Sequence, residues 1–475
     1  MQNKIGRTFF LLLVLFFGAC ENPQFSFDQS KLDIIIDKYV QNNSHPFIHV
    51  RFEDKLGNVI YEHNSINRKF LPKEKIDGQT LMRIWSMSKI VTISLFMDLV
   101  EDKIVSLDDL VEKYIPEFSG LSVATDKQGS SLTLVDSMKN ICPFELKTNN
   151  TKMTVKHLIN HEAGFFYATT QNKCINEEMA KVNLPKAKNS DDLISRFAKL
   201  PLIQKPGDSH FYGTNTTILG LVAERATGKT LNELIKLRMT TPLKINGLKY
   251  NLNLNESLLP RFSGKNDSLR FAYDGDFDIF GPDFPSNSPD NNIFLGGEGM
   301  IASADGYCDF LRMLMNYGTL NKEQFLNPKT VKEMTSPQTQ LENDWGYNGY
   351  NLWVTSDTLR KLGVGDSDLW QGGGYEGTEF WIDSKRGFVG VKMSQLHPIP
   401  KGGHEFYNEF RGEVYRQIFA YEEGKVSTIK NDGVSSFPER SLFLGFKLSK
   451  ASKYLNAFAL LSFATLTSGS SFGSM

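Results

Sequence analysis

Two kinds of hydrophobic pattern divide this chain. Runs rich in β-branched and aromatic residues occur near both ends, at 46–52, 59–63, 350–356, 378–383 and 387–394. Between them, over roughly 105–250, apolar residues mostly recur at helical spacing. Polar loops interrupt this block at 119–132, 143–152 and 201–210, and helical patterns return near 304–317 and 405–421. The pattern predicts an α/β fold of the α+β type. Strands from both chain ends form one antiparallel sheet flanked by helices, and the central block is an inserted, mainly helical subdomain.

A serine and a lysine lie three residues apart at the predicted start of a helix, at Ser86 and Lys89. On a helix this spacing puts both side chains on one face, so the amine can reach the hydroxyl. Serine alone is a weak nucleophile, and Ser-x-x-Lys supplies nucleophile and base from one turn. The same spacing at Ser427 and Lys430 lies in a polar segment, whereas an apolar run at 90–100 follows Ser86. The alternative interpretation makes Ser86 a helix cap and Lys89 a solvated side chain.

Length and charge exclude some classes of function. The 475 residues can bury a large core, and 53 basic against 54 acidic residues give a formal net charge of −1. The chain has no dense basic stripe that would follow a phosphate backbone. We therefore expect no nucleic-acid partner.

The first residues have the pattern of an export signal. Basic Lys4 and Arg7 precede an apolar run at 9–17 and then Gly-Ala-Cys, ending at Cys20. This ending resembles a bacterial lipobox, with Phe17 where the motif usually has leucine, and an ordinary signal peptide is the alternative. The sequence thus predicts a lipoprotein-type signal peptide over 1–19 and a tether over 20–29. We expect lipidation at Cys20 and a protein anchored to the periplasmic or cell-surface face of a bacterial membrane. The tail over 424–475 has no predicted role.

Three cysteines remain after Cys20, at Cys142, Cys174 and Cys308. An odd number in an oxidising compartment leaves at least one thiol unpaired. Cys142 with Cys174 is the favoured pair for a bridge, and the sequence leaves this open. No two cysteines have zinc-knuckle spacing.

Several ordered segments resemble the serine β-lactamase-like family, which includes class C β-lactamases, D-alanyl-D-alanine carboxypeptidases and related esterases. The segments are the Ser86 helix, the stretch over 99–118, the Thr-Val…His…Gly stretch over 153–165 and the Gly-rich turn over 296–303. The resemblance implies one serine hydrolase domain over 30–423, without a cofactor or metal. It also implies an acyl-enzyme on Ser86.

The family's second motif is a tyrosine followed two residues later by asparagine, and here Tyr212 is followed by Thr214. The resemblance implies that Tyr212 is the acid/base partner of Ser86 and Lys89. The lysine cation favours its phenolate, which takes the serine proton and later returns one to the leaving group. Thr214 then replaces asparagine as a hydrogen-bonding residue near the substrate.

The family's third motif carries a lysine or histidine on a strand that lines the cleft. The matching run here includes Trp370, Gln371, Gly373 and Gly374, with Gln371 nearest to the cationic position. We expect these four residues to bind substrate, with the amides of Gly374 and Ser86 as the oxyanion hole. Without the cation, small neutral esters are the expected substrates. A β-lactamase or a D-alanyl-D-alanine carboxypeptidase acting on lactams or peptides is the alternative.

Two competing interpretations come from other classes. His157 and His161 lie four residues apart beside Glu162, which superficially suggests a metal site, although the glutamate is misplaced for the usual zinc-protease motif. The altered third motif also fits a catalytically weak surface protein that binds cell-wall peptides. The oligomeric state cannot be predicted.

Overall fold

The computed structural model describes residues 25–135, 138–277, 279–280, 285–341 and 344–424. The predicted signal peptide, Cys20 and the tail beyond 424 lie outside these residues, so the predictions about them stay predictions.

Strands occur along the whole described chain, and most are short. They are β1 (Phe47–Asp54), β2 (Val59–Ile66), β3 (Met82–Arg83), β4 (Ser122–Thr125), β5 (Glu145–Thr148), β6 (Leu248–Lys249), β7 (Phe262–Ser263), β8 (Arg270–Phe271), β9 (Ile301–Ala302), β10 (Thr319–Leu320), β11 (Glu323–Gln324), β12 (Thr339–Gln340), β13 (Gly346–Asn348), β14 (Trp353–Thr355), β15 (Trp370–Gly373), β16 (Glu379–Asp383) and β17 (Phe388–Met393).

Helices fill the centre of the chain and close its C-terminal end. They are α1 (Gln29–Gln41), α2 (Ser88–Glu101), α3 (Val155–Ile159), α4 (Lys173–Val182), α5 (Ser190–Phe197), α6 (Asn215–Thr227), α7 (Leu231–Leu234), α8 (Thr241–Leu243), α9 (Ala304–Met315), α10 (Pro328–Met334), α11 (Thr358–Lys361) and α12 (Phe406–Glu422).

Eight of the described strands form one antiparallel sheet in the order β12-β13-β14-β15-β16-β17-β1-β2. The N-terminal strand β1 lies between β2 and the late strand β17, with His49 opposite Met393. Both faces of β1 are buried: Val50 and Phe52 pack with α1 and α12, while Phe47 packs into the larger core. The predicted fold class, with one sheet built from both chain ends, is confirmed.

The central block is less purely helical than the sequence indicates. Within the predicted loops over 119–132 and 143–152, β4 and β5 pair with each other, and Val123 also bridges to Leu202. A disulfide joins Cys142 to Cys174 with Cα atoms 5.8 Å apart, and Cys308 is a buried free thiol. This answers the question of the pairing that the sequence left open. Among the described residues, no helix is both long and apolar enough to cross a membrane.

Candidate active site

The turn that carries Ser86 is a short 3-10 helix, Trp85–Met87, which continues directly into α2. Trp85 has a left-handed backbone with φ 47°, a costly conformation for a residue with a bulky side chain. The Trp85 ring is buried and lies 5.4 Å from the Tyr375 ring, so packing holds the turn in place. Ser86 is the second residue of this turn, where backbone N–H groups lack partners within the helix.

Lys89 is fully buried on the first turn of α2, because this helix crosses the interior of the molecule. Its Nζ donates to Ser86 Oγ at 3.1 Å, to the Gly297 carbonyl at 2.9 Å and to Glu298 Oε1 at 3.3 Å. An ammonium group has three donors, and each has an acceptor here. The alternative of a solvated Lys89 is therefore wrong. Ser88 points elsewhere, and its Oγ accepts the Met300 amide at 3.1 Å.

Glu298 is a fully buried carboxylate beside this lysine, and sequence reasoning missed it. Besides Lys89, it accepts hydrogen bonds from the Tyr167 hydroxyl and from Thr217 Oγ1, the latter at 2.5 Å. Burial, with the nearby Glu298 charge, raises the pKa of Tyr167 well above its ordinary value. The signal available in the sequence was an acidic residue inside the glycine-rich turn over 296–299.

Tyr212 lies on the other side of Lys89, with its ring centroid 4.9 Å from Nζ. The His161 ring stacks on it at 4.8 Å with an interplanar angle of 15°. His161 Nδ1 accepts the Gly213 amide at 3.2 Å, which ties the tyrosine loop to the helix-to-loop element after α3. Burial lowers the pKa of His161 well below its ordinary value, so this ring is a neutral acceptor.

The two histidines that suggested a metal site make hydrogen bonds and contacts in different places. His157 Nδ1 accepts the Thr154 amide at 3.2 Å in the capping box that starts α3. His161 faces Tyr212 instead. Within the described part of the chain, no group of three or more His, Cys, Asp or Glu side chains is arranged to hold a metal.

Strand β15 reaches the nucleophile turn through Gly374, the residue that follows it. A Cβ atom on Gly374 would lie 2.4 Å from the Ile84 carbonyl oxygen, so only glycine permits this approach. The Gly374 amide donates to the Thr378 carbonyl at 2.8 Å and is therefore not free to bind an oxyanion. That part of the prediction was wrong. Successive amides of a strand point to opposite edges, so the Gly373 amide points away from β16, and Gly373 lines the cavity.

Gln371 lies in the cavity at the position where the family carries a lysine or histidine. The guanidinium of Arg411 on α12 contacts its side chain. Gln371 Oε1 accepts from Arg411 Nη1 at 3.3 Å and from the Tyr407 hydroxyl at 3.4 Å. Arg411 is 2% exposed, and its Nε and Nη2 find no hydrogen-bond partner among the described residues. Sequence reasoning missed Arg411 because nothing local distinguishes it from the other arginines of a polar helix.

Two predicted substrate-binding residues do not line the cavity. Trp370 packs into the hydrophobic core, with its ring centroid 6.2 Å from that of Tyr317. Neighbouring strand residues face opposite sides of the sheet, so placing Gln371 in the cavity turns Trp370 away from it. Thr214 is fully buried just before α6. Both assignments are corrected.

The cavity over Ser86 has a volume of about 530 Å³, within the range of roughly 300–1,000 Å³ usual for small-molecule sites. Its lining includes Ser86, Tyr212, His161, Gln371, Gly373 and Arg411. The nucleophile turn, the tyrosine loop and β15 thus meet at one cleft, while Lys89 lies beneath its floor.

The sheet built from both chain ends and the cleft between it and the helical block define the fold of the serine β-lactamases and transpeptidases. The chain belongs to the beta-lactamase family, whose model matches residues 57–410. The resemblance seen in the sequence is therefore confirmed.

Relatives with assigned activities include an esterase and an acyltransferase. Lovastatin esterase of Penicillium rubens is 26% identical over 397 residues, which cover 78% of this chain and 94% of that protein. Acyltransferase mokF of Monascus pilosus is 26% identical over 288 residues, covering 58% of this chain and 60% of that protein. The chain spans less than two thirds of the length of this acyltransferase and of a Mycobacterium tuberculosis relative.

Among solved structures, EstCE1, a hydrolase with promiscuous acyltransferase activity, has the same fold. The TM-score is 0.66 at 18% sequence identity, and the match covers 81% of this chain and 98% of EstCE1.

Proposed function

We propose that this protein is a serine hydrolase that cleaves small acyl esters through an acyl-enzyme on Ser86. The observation that carries the proposal is the 3.1 Å hydrogen bond from the buried Lys89 Nζ to Ser86 Oγ at the floor of the cavity. The relatives named as esterase and acyltransferase support an ester as the acyl donor.

The proposed reaction proceeds in two halves. Ser86 Oγ attacks the ester carbonyl carbon while its proton passes to the Tyr212 phenolate oxygen, and the tetrahedral oxyanion forms beside the backbone amides of Ser86 and Gly373. Collapse expels the alkoxide, which takes the proton from Tyr212 and leaves as the alcohol. Water then attacks the acyl-enzyme, again losing its proton to Tyr212, and Ser86 recovers a proton as the carboxylic acid departs.

An active-site serine probe of the fluorophosphonate type, read by intact mass, tests this proposal. The wild-type protein should gain one probe mass, Ser86→Ala should gain none, and Ser88→Ala should still be labelled. Labelling of Ser86→Ala contradicts the assignment. A folded wild-type protein that takes up no probe favours the alternative of a non-catalytic binder of cell-wall peptides.

A β-lactamase or carboxypeptidase is the second candidate, and Arg411 is the observation in its favour. Its buried guanidinium is a cation within reach of the third motif, where the sequence offered only the neutral Gln371. Comparing kcat/KM for a p-nitrophenyl ester and a chromogenic cephalosporin decides between the candidates. Turnover of the lactam equal to or better than that of the ester makes the second candidate the better one.

We also propose export and lipid anchoring through Cys20. Replacing Cys20 with serine should move the protein from the membrane fraction to a soluble exported one, because lipidation needs the thiol. Unchanged membrane association contradicts this proposal.

A further inference from the structure

Lys89 and Glu298 form an ion pair that is closed to solvent, since both side chains are 0% exposed. A buried charge without a partner carries a large desolvation cost, and a lysine in that position tends to give up its proton. Glu298 is therefore the charged partner of the buried lysine below the nucleophile.

Glu298 is held in place by side chains from three parts of the chain, one of which is Lys89 itself. Tyr167 donates its hydroxyl to Oε1, and Thr217 of α6 donates to Oε2 at 2.5 Å. Thr217 Oγ1 also accepts the Gly297 amide at 3.2 Å, and the Gly297 carbonyl accepts from Lys89 at 2.9 Å. The lysine and its carboxylate are thus fastened to the same loop, which limits the positions that Nζ can take.

We infer that Glu298 is a positioning residue that holds the Lys89 amine in its 3.1 Å contact with Ser86 Oγ. This inference rests on the proposed function. Because Lys89 donates to Ser86 Oγ, the serine hydroxyl is left to direct its own proton toward another acceptor.

The groups that face Lys89 determine the direction of the expected change with pH. They are Glu298, Tyr167, Tyr212 and His161. Tyr167 and His161 are neutral, for the reasons given above. Removing the Glu298 charge leaves a cation with only Tyr212 as a possible anionic neighbour. Loss of an anion disfavours the cationic form of the cluster around the nucleophile, so the active form of the enzyme should disappear earlier as the pH rises.

The test measures kcat and KM for p-nitrophenyl butyrate from pH 6 to 10 in Glu298→Gln and Glu298→Asp. Glu298→Gln keeps the shape but removes the charge, so kcat should fall at least tenfold while KM changes less than threefold. The basic limb of kcat/KM should move to lower pH by at least one unit. Glu298→Asp retains the charge farther from the amine, and it should give an intermediate kcat with a smaller shift.

Glu53→Gln is the matched control, because Glu53 is a buried carboxylate paired with Arg51 and Arg312 outside the cavity. It should lower thermal stability without moving the pH profile. If Glu298→Gln has the wild-type pH profile and the wild-type kcat, the inference is overturned. If that variant does not fold, a wild-type kcat in Glu298→Asp overturns it. Ser86→Ala separates the two proposals. If Ser86→Ala still hydrolyses the ester, the proposed function is refuted. If Ser86→Ala is inactive while Glu298→Gln keeps the wild-type kcat and pH profile, only the role of Glu298 is refuted.

Discussion

The contact between Gly374 and the nucleophile turn gives a sharp test of how the cleft is built. In Gly374→Ala the new Cβ would lie 2.4 Å from the Ile84 carbonyl oxygen and 2.3 Å from Thr378 Oγ1. Contacts under 3.0 Å do not persist, so the strand end and the turn must separate by about 0.6 Å or more. The Ile84 carbonyl accepts the Met87 amide that closes the Ser86 turn, so the displacement falls on the nucleophile itself.

Overpacking of this kind costs about 1–3 kcal/mol of stability. A misplacement approaching 1 Å at the reacting groups can cost about 100-fold in rate, so we expect kcat to fall about 10- to 100-fold. The assay is hydrolysis of a p-nitrophenyl ester, with the folded fraction taken from thermal unfolding and the reactive fraction from labelling by the serine probe.

Gly318→Ala is the control for a clash away from the nucleophile turn. Its Cβ would lie 1.9 Å from the Leu326 carbonyl oxygen, and Gly318 does not line the cavity. This variant should lose stability while its folded fraction keeps the wild-type kcat. A folded Gly374→Ala protein with the wild-type kcat would refute the reasoning, because it would show that the approach of β15 does not set the position of Ser86.

Three further predictions concern the site and its support. Lys89→Ala, Tyr212→Phe and the double variant should fall to similar low rates, since residues that act as a unit give non-additive losses; fully additive losses in kcat would contradict this. Arg411→Met should reduce kcat/KM for an anionic cephalosporin by about 10- to 100-fold relative to a neutral ester, because a charge-assisted hydrogen bond contributes about 1.5–3 kcal/mol. Equal losses for both substrates would contradict a role of Arg411 in charge recognition. Cys142→Ser should lower the free energy of unfolding by about 3–4 kcal/mol, because the bridge to Cys174 closes a loop with a sequence separation of 32. An unchanged Tm would count against this bridge.

The hydrophobic pattern alone predicted the helices and strands in which apolar residues recur at a regular spacing. The apolar run after Ser86 predicted the buried helix α2, and the β-rich runs at both chain ends predicted the sheet, with ends displaced by a few residues. The predicted strand over 350–356 corresponds to β14 alone, which begins only at Trp353 because the chain turns at Asn351, whose φ is 53°. Such turns depend on backbone angles that hydrophobic pattern does not encode.

The parts of the site that sequence reasoning missed are those created by tertiary contacts. Glu298 lies in a loop and Arg411 on a helix, and each becomes part of the site only when distant segments meet. The error at Gly374 has a similar cause, since a shift of one residue along a strand exchanges the edge to which an amide points. Motif position alone cannot fix that register.

The place of β1 in the sheet has a consequence for how the protein is made. This strand is synthesised early, yet one of its two partners is β17, and Arg51 pairs with Val391 near the end of the domain. Until β17 leaves the ribosome, an apolar strand has an open edge that can pair with other chains. Pairing across so many residues also folds slowly, because a very large loop must close first. A chain truncated before β17 should therefore aggregate instead of forming a smaller domain.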